Sequence, residues 1–278
     1  MSISILILTQ NEEVNLPSCL DSVKWSDDIV VLDSGSTDRT VEIAEAAGAR
    51  IFVRPFDNER DHRTFSLREI SFKYPWVYNP DADEITPNEL RNEMLAAVAD
   101  HSRPEVAFRV RFKSMFMGKW IRHSSLYPTW VMRLFRPEKI RFARTINLEY
   151  LADGPVGYLR SHFIHNGFNK GFNAWFEKHN KYSNQEALEA IMHISQSHVD
   201  WGGLIAFGDA VRRRRALKHL SFRLPFRPTL RFLYMYLFRL GFLDGWPGFT
   251  YCRLMSIYEY MIVLKMKEIK RRGKGLPV

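Results

Sequence analysis

The chain of 278 residues contains only two cysteines, Cys19 and Cys252, too few for a disulfide framework at this length, which favours a reducing compartment. Long apolar runs are missing as well. Among the longest stretches free of Asp, Glu, Lys and Arg, Met1 to Asn11 and Ala190 to Val199 fall short of the roughly 20 residues a spanning helix needs. No basic region precedes the first apolar run and acid appears by Glu12, so no signal peptide is expected. Neither G-x-G-x-x-G nor G-x-x-x-x-G-K-[ST] occurs, which removes the phosphate cradles of dinucleotide-binding and P-loop proteins. G-x-S-x-G, H-E-x-x-H and C-x-x-C are absent too, and with them the usual hydrolase, zinc-protease and thiol-redox signatures. Any phosphate this chain binds is then expected to be held by a metal ion.

What is present specifies a folded chain, 46% hydrophobic and 26% charged, long enough for one large domain or a core with an appendage. The net charge of +9 is unevenly spread. Ala210 to Val278 carries 16 basic and 3 acidic residues, +13, which leaves 24 minus 28, or −4, for residues 1–209.

The first half alternates strand and helix signals. Ile3 to Leu8 and Ile29 to Leu32 are continuous β-rich apolar runs, the pattern of strands buried on both faces of a mainly parallel sheet. Glu12 to Val23 supplies a crossover helix, and Val41, Ala44 and Ala47 mark a second that stops at Gly48. Ile51 to Val53 and Trp76 to Tyr78 read as further strands, with a helix around Thr64 to Phe72 between them. Thr86, Pro87 and Glu89 read as a capping box opening the next helix. Phe108, Val110 and Phe112 alternate with Arg109, Arg111 and Lys113, a strand buried on one face.

Three polar clusters fall at carboxyl ends of these strands, where open α/β sheets bind ligands: Thr9 to Glu12, Asp33 to Asp38 and Asp81 to Glu84. Asp81 and Asp83, one residue apart on a turn, can offer hard oxygen ligands to Mg²⁺ or Mn²⁺ bound together with a diphosphate. As an isolated D-x-D they can equally be solvated turn residues. Asp33 can bond a ribose hydroxyl or a base, or simply shape a tight turn.

Taken in order, Thr9-Gln-Asn-Glu-Glu13, Ile29-Val-Val-Leu-Asp-Ser-Gly-Ser-Thr-Asp38 and Trp76 with Asp81-Ala-Asp-Glu84 resemble family 2 glycosyltransferases of the GT-A fold. The likeness is closest to the branch of lipopolysaccharide core β-glucosyltransferase-like proteins. It continues through Trp130-Val-Met-Arg-Leu-Phe135, Asn147-Leu-Glu149 with Asp153-Gly154, Leu159 to His165, and Gly241-Phe-Leu-Asp-Gly245-Trp-Pro-Gly248. The sequence departs from the branch at Leu148, where a histidine precedes the glutamate, and at His62-Arg63-Thr64, where Gln-Arg-Asn is usual.

The resemblance implies an α/β GT-A fold, Rossmann-like with a mainly parallel central sheet, followed by an amphipathic helical extension. It implies a glycosyltransferase domain over residues 1–200, with a nucleotide-sugar half at 1–113 and an acceptor half at 114–200. Residues 201–278 would form a basic, aromatic, membrane-associating extension. Thr9, Asn11, Glu12, Asp33, Ser36, Asp38, Arg63 and Asp81 would contact the nucleotide sugar. Asp83 and His165 would hold Mg²⁺ or Mn²⁺, Glu149 would be the catalytic base, and Arg133 and Arg136 would face diphosphate or an anionic acceptor. The implied reaction is inverting hexose transfer, glucose first among the candidates, from a nucleotide diphosphate sugar, UDP-sugar foremost, to a lipid-linked or polysaccharide acceptor.

From Phe222 to Tyr260 there are 12 aromatic residues in 39, interleaved with Arg223, Arg227, Arg231 and Arg239. That composition fits an interfacial segment on an anionic membrane surface, and so a cytoplasmic enzyme peripheral to the inner face of the membrane. Packing of Tyr234, Phe238 and Phe242 on the catalytic domain is the alternative. Nucleic-acid binding through Arg212 to Arg215 lacks any reader motif. Two functional rivals stand beside the transferase: a noncatalytic GT-A scaffold or sugar-nucleotide binding protein, and a sugar-phosphate nucleotidyltransferase. The second normally carries a glycine- and lysine-containing first loop, and Ser2 to Glu13 has neither residue.

Overall fold

A computed structural model describes residues 2–143, 148–196, 200–205, 213, 216–217 and 220–278. Expectations that rest on Asn147 or on Arg212, Arg214 and Arg215 lie outside the described residues. The chain divides into two compact units: residues 1–120 with 127–170, and residues 121–126 with 171–278. The division falls ahead of the boundary expected at 200.

The first unit is built on a nine-stranded sheet with the order β3-β2-β1-β4-β8-β6-β11-β5, and β7 pairing with β6. Its strands are β1 (Ser4–Thr9), β2 (Ile29–Asp33), β3 (Arg50–Val53), β4 (Val77–Tyr78), β5 (Glu84–Ile85), β6 (Ala107–Phe116), β7 (Lys119–Trp120), β8 (Trp130–Phe135) and β11 (Val156–His165). β1, β2, β3, β4, β6 and β11 run one way, while β5, β7 and β8 run against them. β9 (Ile140–Ala143) and β10 (Glu149–Ala152) form a separate antiparallel pair. This is the α/β, mainly parallel architecture that the apolar runs predict.

The continuous hydrophobicity of β1 has a direct cause. Ile3, Ile5 and Ile7 pack with Leu16, Leu20 and Leu90 on one face, while Leu6 packs with Leu67, Ile70 and Phe135 on the other. Side chains alternate along a strand, so a strand covered on both sides needs apolar residues at every position.

Helices α1 (Leu16–Val23), α2 (Thr40–Ala46), α3 (Glu59–Arg68) and α4 (Asn88–Ala99) connect the early strands. α3 starts earlier than the apolar spacing around 64–72 suggests. Asn58 caps it, its side chain accepting from the Asp61 N–H at 2.9 Å, and acids in the first turn with Arg68 in the last suit the helix dipole. The capping box at Thr86 does not form: Pro87 occupies the cap, and buried Thr86 donates its hydroxyl to Tyr78 Oη at 3.1 Å. The core claims that hydroxyl because Tyr78 is itself fully buried and its phenol oxygen needs a partner.

In the second unit α5 (Gly171–Gln196) packs against the long carboxyl-terminal helix α8 (Gly245–Arg272). Ala187, Ala190, Phe222, Ile262 and Met266 form their shared core. Between them lie α6 (Trp201–Leu204), α7 (Arg227–Leu233), a π-helical turn (Tyr234–Phe238) and a 3₁₀ turn (Gly241–Asp244). The Gly241 to Gly248 motif is a packing device. A Cβ on Gly241 would stand 2.7 Å from the Met235 carbonyl oxygen, and one on Gly248 would stand 2.3 Å from that of Gly241. Buried Asp244 accepts from the N–H groups of His123 and Ser124 and from the Ser124 hydroxyl, at 2.6–2.9 Å, which ties residues 121–126 into this unit.

Candidate active site

β1 and β2 end side by side, with Thr9 opposite Asp33, so their following loops are neighbours from the moment the strands pair. Asp33 is 1% exposed. It accepts from Thr9 Oγ1 at 2.8 Å, from the N–H groups of Gly35 and Ser36 at 2.9 and 2.7 Å, and from Ser36 Oγ at 2.5 Å. Its carboxylate therefore shapes the loop. Gly35, at φ +87°, supplies the left-handed residue this turn requires.

Asn11 also adopts a left-handed conformation, at φ +55°, which asparagine tolerates better than most residues. It links the two loops, donating its N–H to Ser36 Oγ and accepting from the Thr37 N–H, both at 2.8 Å. Asp38 accepts from the Glu13 N–H at 3.1 Å and from the Thr40 hydroxyl at 2.5 Å, and that hydroxyl accepts from the Glu12 N–H at 2.7 Å. Thr9, Asn11, Glu12, Asp33, Ser36 and Asp38 thus belong to one hydrogen-bonded double loop.

The acidic turn joins the same rim through a parallel bridge between Leu8 and Asp81. One guanidinium organises it: Arg133 Nη2 pairs with both Asp81 Oδ2 and Glu84 Oε1. Arg133 is buried, so the cost of removing its charge from water is offset chiefly by these two carboxylates, with the Phe163 ring 5.5 Å from the guanidinium. Burial works against the ionised form of Asp81, yet Arg133 and Arg63 outweigh it and hold the carboxyl at about 2. For Glu84 burial wins, helped by repulsion from Asp81 and opposed by Arg133, and its carboxyl is pushed up to about 8. Arg63 lies 3.7 Å from Asp81 and donates to Asn79 Oδ1 at 3.0 Å and Tyr150 Oη at 2.7 Å.

Asp83 faces the other way. Its Oδ2 lies 3.3 Å from His165 Nε2, at the end of β11, and its backbone carbonyl accepts from the Asn166 N–H at 2.9 Å. Burial opposes a proton on His165, but the Asp83 carboxylate beside it raises the imidazole above its ordinary value. A Cβ on Gly167 would sit 2.8 Å from the His165 ring, so glycine lets the chain turn past it. The turn leads to Lys170, whose ammonium binds Glu12 Oε1 at 2.5 Å.

Two sequence-derived residues stand apart from this cluster. Arg136 stacks 5.0 Å over Trp76, before the start of β4 and so at the opposite end of that strand from Asp81. β8 runs antiparallel to β4, which carries Arg133 to the rim and Arg136 away from it. Glu149 begins β10 opposite Ala143 and is exposed, whereas the adjacent Tyr150 points to Arg63. Successive strand residues point to opposite faces, so the two side chains diverge. Arg133 is brought to the rim, but as the partner of Asp81 and Glu84.

Asn79, Glu84, Tyr150 and Lys170 complete the constellation and were not singled out from the sequence as site residues. Glu84 and Tyr150 adjoin residues that were. For Lys170 no local signal exists, because it meets Glu12 across 158 residues.

Residues 4–174, well over half the chain, match the family model for glycosyl transferase family 2. An uncharacterized glycosyltransferase of Rickettsia typhi is 24% identical over 99% of this chain and 89% of its own length. The lipopolysaccharide core biosynthesis glycosyltransferase LpsC of Rhizobium meliloti is 26% identical over 96% of this chain and 92% of that protein. Among solved structures, glucosyl-3-phosphoglycerate synthase from Mycobacterium tuberculosis aligns at 24% identity and a TM-score of 0.36, over 49% of this chain and 57% of that one. A score so low leaves the architecture to the strand order and the family model. The span matched by that model holds both strand-end loops, the acidic turn and His165, and the chain belongs to glycosyl transferase family 2 and is a glycosyltransferase.

Proposed function

We propose that the enzyme transfers a hexose, glucose first, from a nucleoside diphosphate sugar to a lipopolysaccharide core or other envelope glycolipid or polysaccharide precursor, with inversion in a single displacement. The observation that carries the donor side is the pair Asp83 and His165, both partly exposed beside the loops of β1 and β2. Among the described residues no group of three or more His, Cys, Asp or Glu could hold a metal by itself. A cation here would take the Asp83 carboxylate and its remaining oxygen ligands from diphosphate and water, which suits Mg²⁺ or Mn²⁺, while the His165 imidazole is a donor better matched to Mn²⁺ than to Mg²⁺. Asp83 and His165 would hold it, and when bound it supplies positive charge against the departing diphosphate.

The protein groups have separate tasks in this reading. The double loop of Thr9, Asn11, Glu12, Asp33, Ser36 and Asp38 forms a rigid wall for the nucleoside. Arg63 and Arg133 keep Asp81 ionised and fixed on the donor side. The family resemblance assigns Glu149, exposed at the start of β10, as the carboxylate that accepts the proton from the acceptor hydroxyl, although its side chain points to the strand face opposite Tyr150. Attack from the face opposite the leaving diphosphate turns an α-linked donor into a β-glycoside. LpsC, by its name, supports the lipopolysaccharide core as the class of acceptor.

A donor screen tests the proposal. Purified protein with Mg²⁺ or Mn²⁺ and a panel of UDP-, GDP- and dTDP-sugars should release nucleoside diphosphate from one donor, dependent on envelope glycolipid. A chelator, Asp83→Ala and Glu149→Ala should each abolish release. Binding of a donor without transfer to any acceptor would instead identify a sugar-nucleotide binding protein.

A further inference from the structure

In the second unit, Phe232, Tyr236, Phe242, Trp246 and Phe249 form one continuous aromatic cluster with ring centroids 5.3–6.2 Å apart. It draws on α7, the π-helical turn, the 3₁₀ turn and the start of α8. An aromatic cluster of this size ordinarily closes inward. Here Trp246 is 70% and Phe242 44% exposed, and around them Phe238, Leu243 and Tyr234 are exposed as well. A contiguous apolar surface of this kind marks an interaction site on a folded protein.

Its charges select the partner. From Phe222 to Tyr260 the acids are Asp244 and Glu259. Asp244 is buried under the 121–126 segment, and Glu259 pairs with Arg227 at 2.7 Å, the carboxylate side chain only 14% exposed. Arg253 is exposed, with its guanidinium 5.9 Å from the Phe232 ring, and Arg231 and Arg239 are partly exposed. Within residues 222–260, then, both acids are turned inward and the face is aromatic with a cationic rim. Among the described residues no helix is long and apolar enough to cross a membrane.

We infer that this face docks on an anionic bilayer, with Trp246 and Phe242 entering the boundary between headgroups and acyl chains and the arginines meeting lipid phosphates. Aromatic rings with a polar edge favour that depth, and basic residues beside them add attraction to anionic lipid. The inference stands apart from the glycosyl-transfer reading, since docking requires neither donor nor metal.

Co-flotation of the full chain with phosphatidylcholine vesicles, with and without about one third phosphatidylglycerol, tests it. Binding should require the anionic lipid and weaken as salt is raised. Trp246→Glu with Phe242→Glu should lower partition by about tenfold or more while leaving the thermal midpoint and donor binding unchanged. If the double variant misfolds, Trp246→Ser alone decides, and it should lower partition in the same direction. Equal binding to neutral and anionic vesicles, or full binding by a folded variant, overturns the inference. So does concentration-dependent dimerisation that these substitutions abolish without vesicle binding, which would assign the face to a second copy of the chain.

Discussion

The two ends of the parallel sheet each carry an aspartate, and the aspartates differ in what surrounds them. Asp28, at the amino end of β2, is 4% exposed. It accepts from Ser4 Oγ at 2.5 Å, from Arg50 Nε and Nη2 at 3.1 and 2.7 Å, and from the Lys73 N–H at 2.8 Å. Ser4 Oγ in turn accepts from the Tyr74 N–H at 3.0 Å. Asp83, at the carboxyl end, is more exposed, and through its side chain meets His165 alone among the described residues. A carboxylate saturated with protein donors is a structural brace. One with lone pairs to spare has the open valence that the metal-binding role proposed for Asp83 requires.

Substitution at the two positions should separate these roles. Asp83→Ala should lower kcat/KM by about three orders of magnitude, the loss of several kcal/mol of charge stabilisation, with the thermal midpoint nearly unchanged. Steady-state kinetics and a melting curve check both halves, and a comparable loss of stability would erase the contrast. Asp28→Ala should instead destabilise the fold by about 3 kcal/mol, because the buried Ser4 hydroxyl and Lys73 N–H lose their acceptor. Denaturant midpoints measure this, and the protein that remains folded should keep its donor affinity.

The acid limb of stability offers a finer probe. Burial alone would raise the Asp28 carboxyl, but the bonds from Ser4, Lys73 and Arg50 outweigh it and hold the group below its ordinary value. A carboxyl depressed on folding stabilises the native state above the unfolded value of about 3.9, and the contribution is lost as pH falls through the folded value. Stability should therefore drop below about pH 4, and Asp28→Asn should flatten that part of the profile. A smaller effect is expected from Arg136→Ala, about 1 kcal/mol or less from losing the Trp76 stack, with donor turnover unchanged. Arg133→Ala, by contrast, should raise the donor KM by releasing Asp81, so the paired kinetics distinguish two arginines three residues apart. The smallest signal belongs to Cys19, buried among Glu84, Asp83 and Asp81, where burial first and these acids next push its thiol well up. Disulfide reagents at pH 8 should leave it unmodified until the protein unfolds.

Most of the sheet was legible because its signals are local. Apolar runs such as Ile3 to Leu8 declare strands covered on both faces, and polar residues right after them declare loops at strand ends. The parallel pairing of β1 with β2, seen only in the folded chain, then sets Thr9 opposite Asp33. Thr86 shows where local reading fails: its spacing to Glu89 suits a capping box, but Tyr78 claims the hydroxyl from within the core. Arg133 and Arg136 look alike in sequence, and only the antiparallel run of β8 against β4 sends one to Asp81 and the other to Trp76.

The Gly241 to Gly248 motif was visible in the sequence as a pattern, but its meaning was not, since glycine contacts with Met235 and Gly241 carbonyls exist only after the turns pack. By itself, then, the sequence determined the succession of strands and helices in the first βα units, the three polar strand ends and the separation of an acidic front from a basic, aromatic tail. These follow from residue type and short spacing. Tertiary structure alone decided that Arg133 is shared by Asp81 and Glu84, that Lys170 reaches Glu12, and that Glu149 and Tyr150 part to opposite faces. Each depends on groups far apart in the chain meeting at distances that hydrogen bonding and burial, rather than local propensity, select.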